Sequence, residues 1–344
     1  MKVFLIVHLT ENLDTTIYLL CNAGREKMFS KFNFEMIFFI LTFCIFNFFL
    51  ECEVVEATDI NKIYVGGTGL GNYSFIQDAI DNSSKGDIIF VYSGNYSENL
   101  IISNSIILLG ANKYNVSISG NEGLYSILIK SSGITISGFT IQNSNAGIII
   151  SGSEFKFCNI SQNIIKNNLE GIRVINSSNN NITNNIIQQH SNLGLVFYNS
   201  KNNVILKNTF IDNKKGIFLG RWSNFNIISE NNFSNYTKAI HLDFSFNNQI
   251  TKNLIKNGDY GIYLAYSKNN NITNNFIEYN KQSGLYFSDS DENVISPNIF
   301  SNNYQDISKK TKPPSIKTPS FEILLVFFTI LFIILFKKSQ SLSK

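Results

Sequence analysis

One phrase recurs along this chain every 22 to 24 residues, and that period leaves few folds open. It begins at Gly147, Gly171, Gly194, Gly216, Ala239, Gly261 and Gly284. Each start is followed by two apolar residues flanking a variable one: Ile148 and Ile150, Ile172 and Val174, Leu195 and Phe197, Ile217 and Leu219, Ile240 and Leu242, Ile262 and Leu264, Leu285 and Phe287. That alternation is the mark of a short half-buried strand. A second phrase arrives about ten residues later, with an Ile, then an Asn, then Ile or Phe. Its asparagines are Asn163, Asn185, Asn208, Asn231, Asn253, Asn275 and Asn298.

A unit this short cannot bury its own apolar face and must stack on its neighbours. Three strand-like pieces per turn, joined by Asn-, Ser- and Gly-rich corners, suit a coil of parallel strands whose turns are spaced by about 4.8 Å. The expected fold is all-β, a single-stranded right-handed parallel β-helix with an N-terminal capping helix. Its Ile, Leu and Phe columns should stack inside. The Asn column should sit at a tight corner in the left-handed conformation that Asn tolerates, its amides bonding from turn to turn. The rival solenoid, the leucine-rich repeat, wants Leu at most apolar sites and a helix or turn between strands. Corners such as Ser177-Ser178-Asn179-Asn180-Asn181 would break such a helix.

The organisation expected for the 344 residues is an upstream extension plus signal peptide over 1–57, the β-helix over 58–306, a linker over 307–319 and a membrane anchor or sorting signal over 320–344. The uncharged run 36–50, preceded by Lys27 and Lys31 and followed by Val55-Glu56-Ala57, reads as a secretory signal cut near Ala57, with translation beginning at Met28. An uncleaved anchor helix is the alternative. At the other end the apolar run 323–336 is followed by Lys337 and Lys338, which places the tail in the cytoplasm and the coil outside. Ten Asn-x-Ser/Thr sequons (Asn72, Asn82, Asn95, Asn115, Asn159, Asn176, Asn181, Asn232, Asn235 and Asn271) fit that side of the membrane. Of the four cysteines only Cys158 lies beyond Ala57, so no disulfide is expected within the mature chain. A net charge of +3 without a basic run in the repeats argues against a nucleic-acid partner. The sequence leaves the oligomeric state open.

Ser74-Phe75-Ile76-Gln77 has the pattern of a capping box and should open a short helix through Asn82, laid over the first turn. The run from Gln77-Asp78-Ala79-Ile80 through Gly86-Asp87, Gly94, Tyr96, Glu98 and Ile106-x-Leu108-x-Gly110 resembles the start of NosD-type proteins, pectin-lyase-like right-handed β-helices of archaeal and bacterial cell surfaces. The repeats from Ile127 to Asn302 resemble the parallel β-helix repeats of that family. The resemblance implies a secreted coil but is weak on chemistry.

Glycoside hydrolysis needs two carboxylates flanking the bond, about 5–10 Å apart, which on this coil means Asp or Glu at matching positions of adjacent turns. Two residues after each start, the outward column reads Ile149, Arg173, Val196, Phe218, His241, Tyr263 and Tyr286, with no such pair. Asp243, Asp259 and Asp289 are the candidate catalytic residues. Asp289, Asp291 and Glu292 share a corner at which Ca²⁺ would find oxygen ligands, although a solvated acidic turn is the simpler reading. No metal site is expected elsewhere: copper wants clustered His, Cys or Met, and His190 and His241 fall in different parts of the repeat. Arg173, Phe218, His241, Tyr263 and Tyr286 form a candidate ligand-binding strip for sugar rings or a protein surface. Cross-strand stacking that merely stabilises the sheet explains the same rings. The function expected is that of a surface-anchored adhesin or envelope component contacting glycans or envelope proteins. A polysaccharide lyase or hydrolase, and a spacer without ligand, are the alternatives.

Overall fold

In the computed structural model residues 60–310 are described in full, together with the backbone of three strands nearer the N-terminus. Those three, Val3–His8, Thr16–Ala23 and Glu26–Phe32, pair antiparallel in that order within a separate unit, Met1–Asp59. The expected signal segment 36–50, the cleavage point at Ala57, residues 311–319 of the linker and the whole segment 320–344 lie outside the described residues. Among the described residues no helix is long and apolar enough to cross a membrane.

Residues 60–310 form a right-handed parallel β-solenoid with three faces. Each turn contributes one strand to each of three ten-stranded sheets. The first sheet runs from Lys62–Val65 to Asn271–Thr273, the second from Gly94–Ser97 to Ile299–Ser301, the third from Leu100–Ile102 to Ile307–Lys309. The last of these strands pairs Ile307 with Leu285, so the coil continues three residues past the expected boundary at 306. Strands of the first two sheets are mostly three residues long, whereas those of the third reach six. The sequence periodicity is thereby explained: Ile160, Ile182, Ile205, Ile228, Ile250 and Ile272 lie in register across the first sheet. All six are fully buried. Each such Ile contributes about 2 kcal/mol of burial free energy, which one isolated turn could not collect.

The asparagine ladder forms at the corner between the first and second sheets. The side-chain oxygen of Asn185 accepts both the backbone N–H (3.0 Å) and the side-chain amide (3.2 Å) of Asn163 one turn below. The same pair of bonds links Asn185 to Asn208, Asn208 to Asn231, Asn231 to Asn253, Asn253 to Asn275 and Asn275 to Asn298. The expected left-handed conformation is found one residue earlier, at Gln162, Asn184, Lys207, Glu230, Lys252 and Asn274, with φ between 55° and 57°. The ladder residue itself must turn its side chain inward, and the exposed residue before it takes the strained backbone. Two further corners carry ladders that the sequence reading passed over. Between the third and first sheets, Asn180, Asn203, Asn226, Asn248, Asn270 and Asn293 repeat the pattern. Between the second and third, the column is mixed and begins with Ser144, Asn168 and His190.

The helix over the first turn spans Ile76–Asp81 and buries Ile76, Ala79 and Ile80. Its capping differs from the expected box, since the N-cap is Phe75 and no local side chain caps it. Glu98, one turn on, accepts the N–H groups of Ile76 and Gln77, both at 2.9 Å. A carboxylate at that end satisfies orphan donors and faces the positive end of the helix dipole.

Candidate functional site

The long strands of the third sheet hold the predicted outward column in strict register. Ile149, Arg173, Val196, Phe218, His241, Tyr263 and Tyr286 are successive cross-strand partners. A parallel sheet stacks like positions directly above one another, so the rings meet face or edge. Ring centres are 5.0 Å apart from Phe218 to His241, 4.9 Å from His241 to Tyr263, and 4.6 Å from Tyr263 to Tyr286. Tyr260 packs edge-on against both Tyr263 and Tyr286. Tyr198 meets Phe218 at 5.7 Å and widens the strip. The rings from Phe218 to Tyr286 are half-buried, and Tyr263 and Tyr286 stack face to face. Val196 is fully buried and closes the lower end of the strip.

A second column of the same face, one the sequence reading did not compare from turn to turn, holds the charge. Glu170, Leu193, Lys215, Lys238, Tyr260 and Ser283 are successive partners along it. Its signal was present in the sequence, because each of these residues immediately precedes a repeat start. The Lys238 ammonium lies 3.3 Å from the centre of the Tyr263 ring, and that of Lys215 lies 5.9 Å from the Phe218 ring centre. Burial, with the charge of Lys215 beside it, brings the Lys238 ammonium down to about 8. His241 is pushed down to about 3, first by burial and then by Lys238 and Lys215, so it is a neutral ring at physiological pH. Its Nδ1 is buried without a hydrogen-bond partner.

Lower on the face, Arg173 forms an ion pair with Glu170 at 2.7 Å. That acidic neighbour lies three residues back on its own strand and not on an adjacent turn. Arg221 likewise has Asp243 close by. Burial raises the Asp243 carboxyl above its ordinary range, and the charges of Arg221 and Lys238 act against that rise.

Asp259 stands at the opposite end of the strands from Asp243 and Asp289, which lie two turns apart. Asp243 ends the strand Lys238–Asp243, Asp259 precedes the strand Tyr260–Ala265, and Asp289 follows the strand Ser283–Ser288. Asp259 and Asp289 thus sit at opposite ends of a six-residue strand, roughly 20 Å apart along it, about twice the reach of paired glycosidase carboxylates. In the acidic corner Asp291 pairs with Lys309 at 3.6 Å and Glu292 with Lys268 at 3.3 Å.

A polar hollow of about 570 Å³, lined by Ser119, Asn121, Glu122, Asn143 and Asn167 among others, opens near the N-terminal end of the second-to-third corner. It lies away from the ring strip and has no ring in its lining.

The model of one protein family, described as "Periplasmic copper-binding protein (NosD)", matches residues 80–236 and 190–317. The chain belongs to the NosD family. No curated protein matches the sequence. Among solved structures, the A-module of mannuronan C-5 epimerase AlgE6 of Azotobacter vinelandii is 13% identical, with 70% of this chain and 95% of that one covered at a TM-score of 0.51. An alginate lyase from Paenibacillus is 13% identical over 72% of this chain and 99% of its own, with a TM-score of 0.45. The Streptococcus pneumoniae surface protein and adhesin PfbA is 17% identical over 68% and 94%, with a TM-score of 0.44. Identities this low speak to the fold alone.

The described residues of this NosD-family chain do not fit copper. No group of three or more His, Cys, Asp or Glu is placed to hold a metal ion among them. His190 is buried within a corner, where its Nδ1 accepts the Asn168 N–H at 3.2 Å. His241 stands on the outer face of the third sheet, and Cys158 is buried at the foot of the second ladder, where its N–H donates to Asn180 at 3.0 Å. Among the described residues, His190, His241 and Cys158 stand at separate places in the fold.

Proposed function

We propose that this protein is an extracytoplasmic β-helix that binds polysaccharide along the ring strip of its third sheet. The observation that carries the reading is the continuous column Phe218, His241, Tyr263 and Tyr286, its members 4.6–5.0 Å apart and partly exposed. The exposed parts of the tyrosine rings offer apolar surface to the C–H side of a sugar and a hydroxyl to its oxygens. Parallel strands repeat that offer at every turn, which suits a polymer better than a single small molecule. The description of the NosD family as periplasmic and the apolar runs 36–50 and 323–336 of the sequence support a place outside the cytoplasm. Proteolysis of intact cells, which would cleave a surface-displayed coil, tests that placement. An adhesin-like role follows naturally from a sugar platform on a rigid rod.

A glycosidase that pairs Asp259 with Asp289 is disfavoured by their separation. Affinity electrophoresis of the full chain in gels containing different polysaccharides tests the platform. At least one polymer should retard the protein, and the double variant Tyr263→Ala/Tyr286→Ala should weaken that binding by roughly tenfold to a hundredfold, each stacking ring contributing about 1 kcal/mol. Unchanged retardation of a folded double variant would remove the strip from the interaction.

A further inference from the structure

Lys215 and Lys238 are direct cross-strand partners on adjacent turns, so their stems begin one strand spacing apart, about 4.8 Å. Like charges directly opposite one another destabilise a sheet. Among the described residues neither lysine forms an ion pair. Arg173, by contrast, is paired with Glu170 at 2.7 Å, and the Asp243 carboxylate lies near both Arg221 and Lys238. The fold has thus placed two ammonium groups without a salt-bridge partner side by side and tipped both over the ring strip. Between them and the upper tyrosines His241 stays neutral, so the positive charge belongs to the lysines alone.

We propose that the polymer bound by this sheet is a polyanionic glycan, whose ring-borne carboxylate or sulfate groups are taken up by Lys215 and Lys238 while its sugars pack against the exposed parts of Tyr263 and Tyr286. The inference rests on the polysaccharide reading above and adds the chemical class of the ligand. A neutral sugar would stack on the tyrosines and leave the two ammonium groups repelling one another. An anion between them relieves that repulsion and restores the full charge of Lys238, which burial and Lys215 hold down to about 8. Nucleic acid fits less well. Two cations neutralise only two phosphates, far short of the usual electrostatic footprint of a nucleic-acid site.

Calorimetric titration of the full chain at low and high salt, with a polyuronate, a sulfated glycan, an uncharged glucan and single-stranded DNA, tests this. Binding of the polyuronate or the sulfated glycan, weakened by salt, is expected, and whichever binds tighter identifies the anionic group. The double variant Lys215→Gln/Lys238→Gln should bind that polymer roughly tenfold to a hundredfold more weakly. Its thermal midpoint should hold or rise, because the repulsion has gone, and Lys207→Gln, at a different corner, should bind as the parent does. Equal, salt-insensitive binding of uncharged glucan would overturn the anionic class and leave the platform standing. Binding of no glycan would overturn both readings. Tighter binding of single-stranded DNA than of any glycan would overturn the proposal in favour of nucleic acid.

Discussion

At the corner between the first and second sheets, every turn from Asn163 to Asn298 supplies an asparagine. At the corner between the second and third sheets, the column reads Ser144, Asn168, His190, Asn213, Tyr236, Gly258, Asn280 and Asn303. Both corners must satisfy the same backbone N–H groups in a buried place, where an unpaired donor is costly. The first does so by strict repetition. The second does so by local compensation. His190 substitutes a ring nitrogen for an amide oxygen and accepts the Asn168 N–H, leaving its other nitrogen buried and unpartnered. Tyr236 is too long for its own turn, and its ring occupies the space above Gly258, where a side chain would otherwise stand. Its hydroxyl then reaches Asn280 two turns up, at 2.9 Å. The comparison teaches that the repeat constrains the sum of side-chain volume and hydrogen bonds down a column, not the residue at each step. The irregular corner is also the one that leads directly into the third sheet, the face with the rings and lysines.

The largest effect should come from breaking the regular corner. Asn208→Ala strands the N–H and side-chain amide of Asn185 and the carbonyl of Ile182 in one step. It should cost roughly 4 kcal/mol, read by chemical denaturation, with hydrogen exchange rising first in the turns on either side. A loss below 1 kcal/mol would show that water replaces the ladder without penalty.

The irregular corner should show its weakness in acid. Burial holds the folded-state pKa of His190 at about 4, below the unfolded value of 6.5. The unfolded chain therefore binds the extra proton first, so stability is full above about pH 6.5, falls as the pH drops towards 4, and levels off below that. The loss from this group should be about 3 kcal/mol. His190→Asn, which restores the commoner residue of the column, should flatten that part of the curve. An unchanged acid profile in this variant would assign the loss to other groups.

The smallest effect sharpens the compensation itself. Gly258→Ala places a methyl group against the Tyr236 ring and should cost about 2 kcal/mol, as overpacking of a filled core does. The double variant Tyr236→Asn/Gly258→Asn rebuilds the regular pattern and should recover most of that stability in the same denaturation assay. If the double variant is worse than Gly258→Ala, the two positions are not a compensating pair.

The strands, the buried Ile columns, the first ladder and the order of the outward rings were all legible, because each is a property of one repeat copied along an axis. What escaped the sequence depends on partners a turn or more away or on a shift of one residue. Glu98 caps a helix that begins 22 residues earlier, whereas Ser74 offered a local box that goes unused. The left-handed residue stands one place before the ladder Asn, where the sequence shows Gln, Lys and Glu as readily as Asn. The second ladder was hidden by abundance, since Asn180 sits within Asn179-Asn180-Asn181 and only burial shows which one points inward. Lys215 and Lys238 look like ordinary surface lysines until register places them side by side.

The ladders also have a sense of direction. In every turn the side-chain oxygen points back towards the N-terminal end, where the lowest rung meets a plain backbone N–H: Phe139 beneath Asn163, Cys158 beneath Asn180. Backbone dipoles in a sheet largely cancel, but these amides all face the same way and add, as peptide units do in a helix. The rod is therefore electrically as well as structurally polar, and its two ends differ in character before any charged side chain is considered.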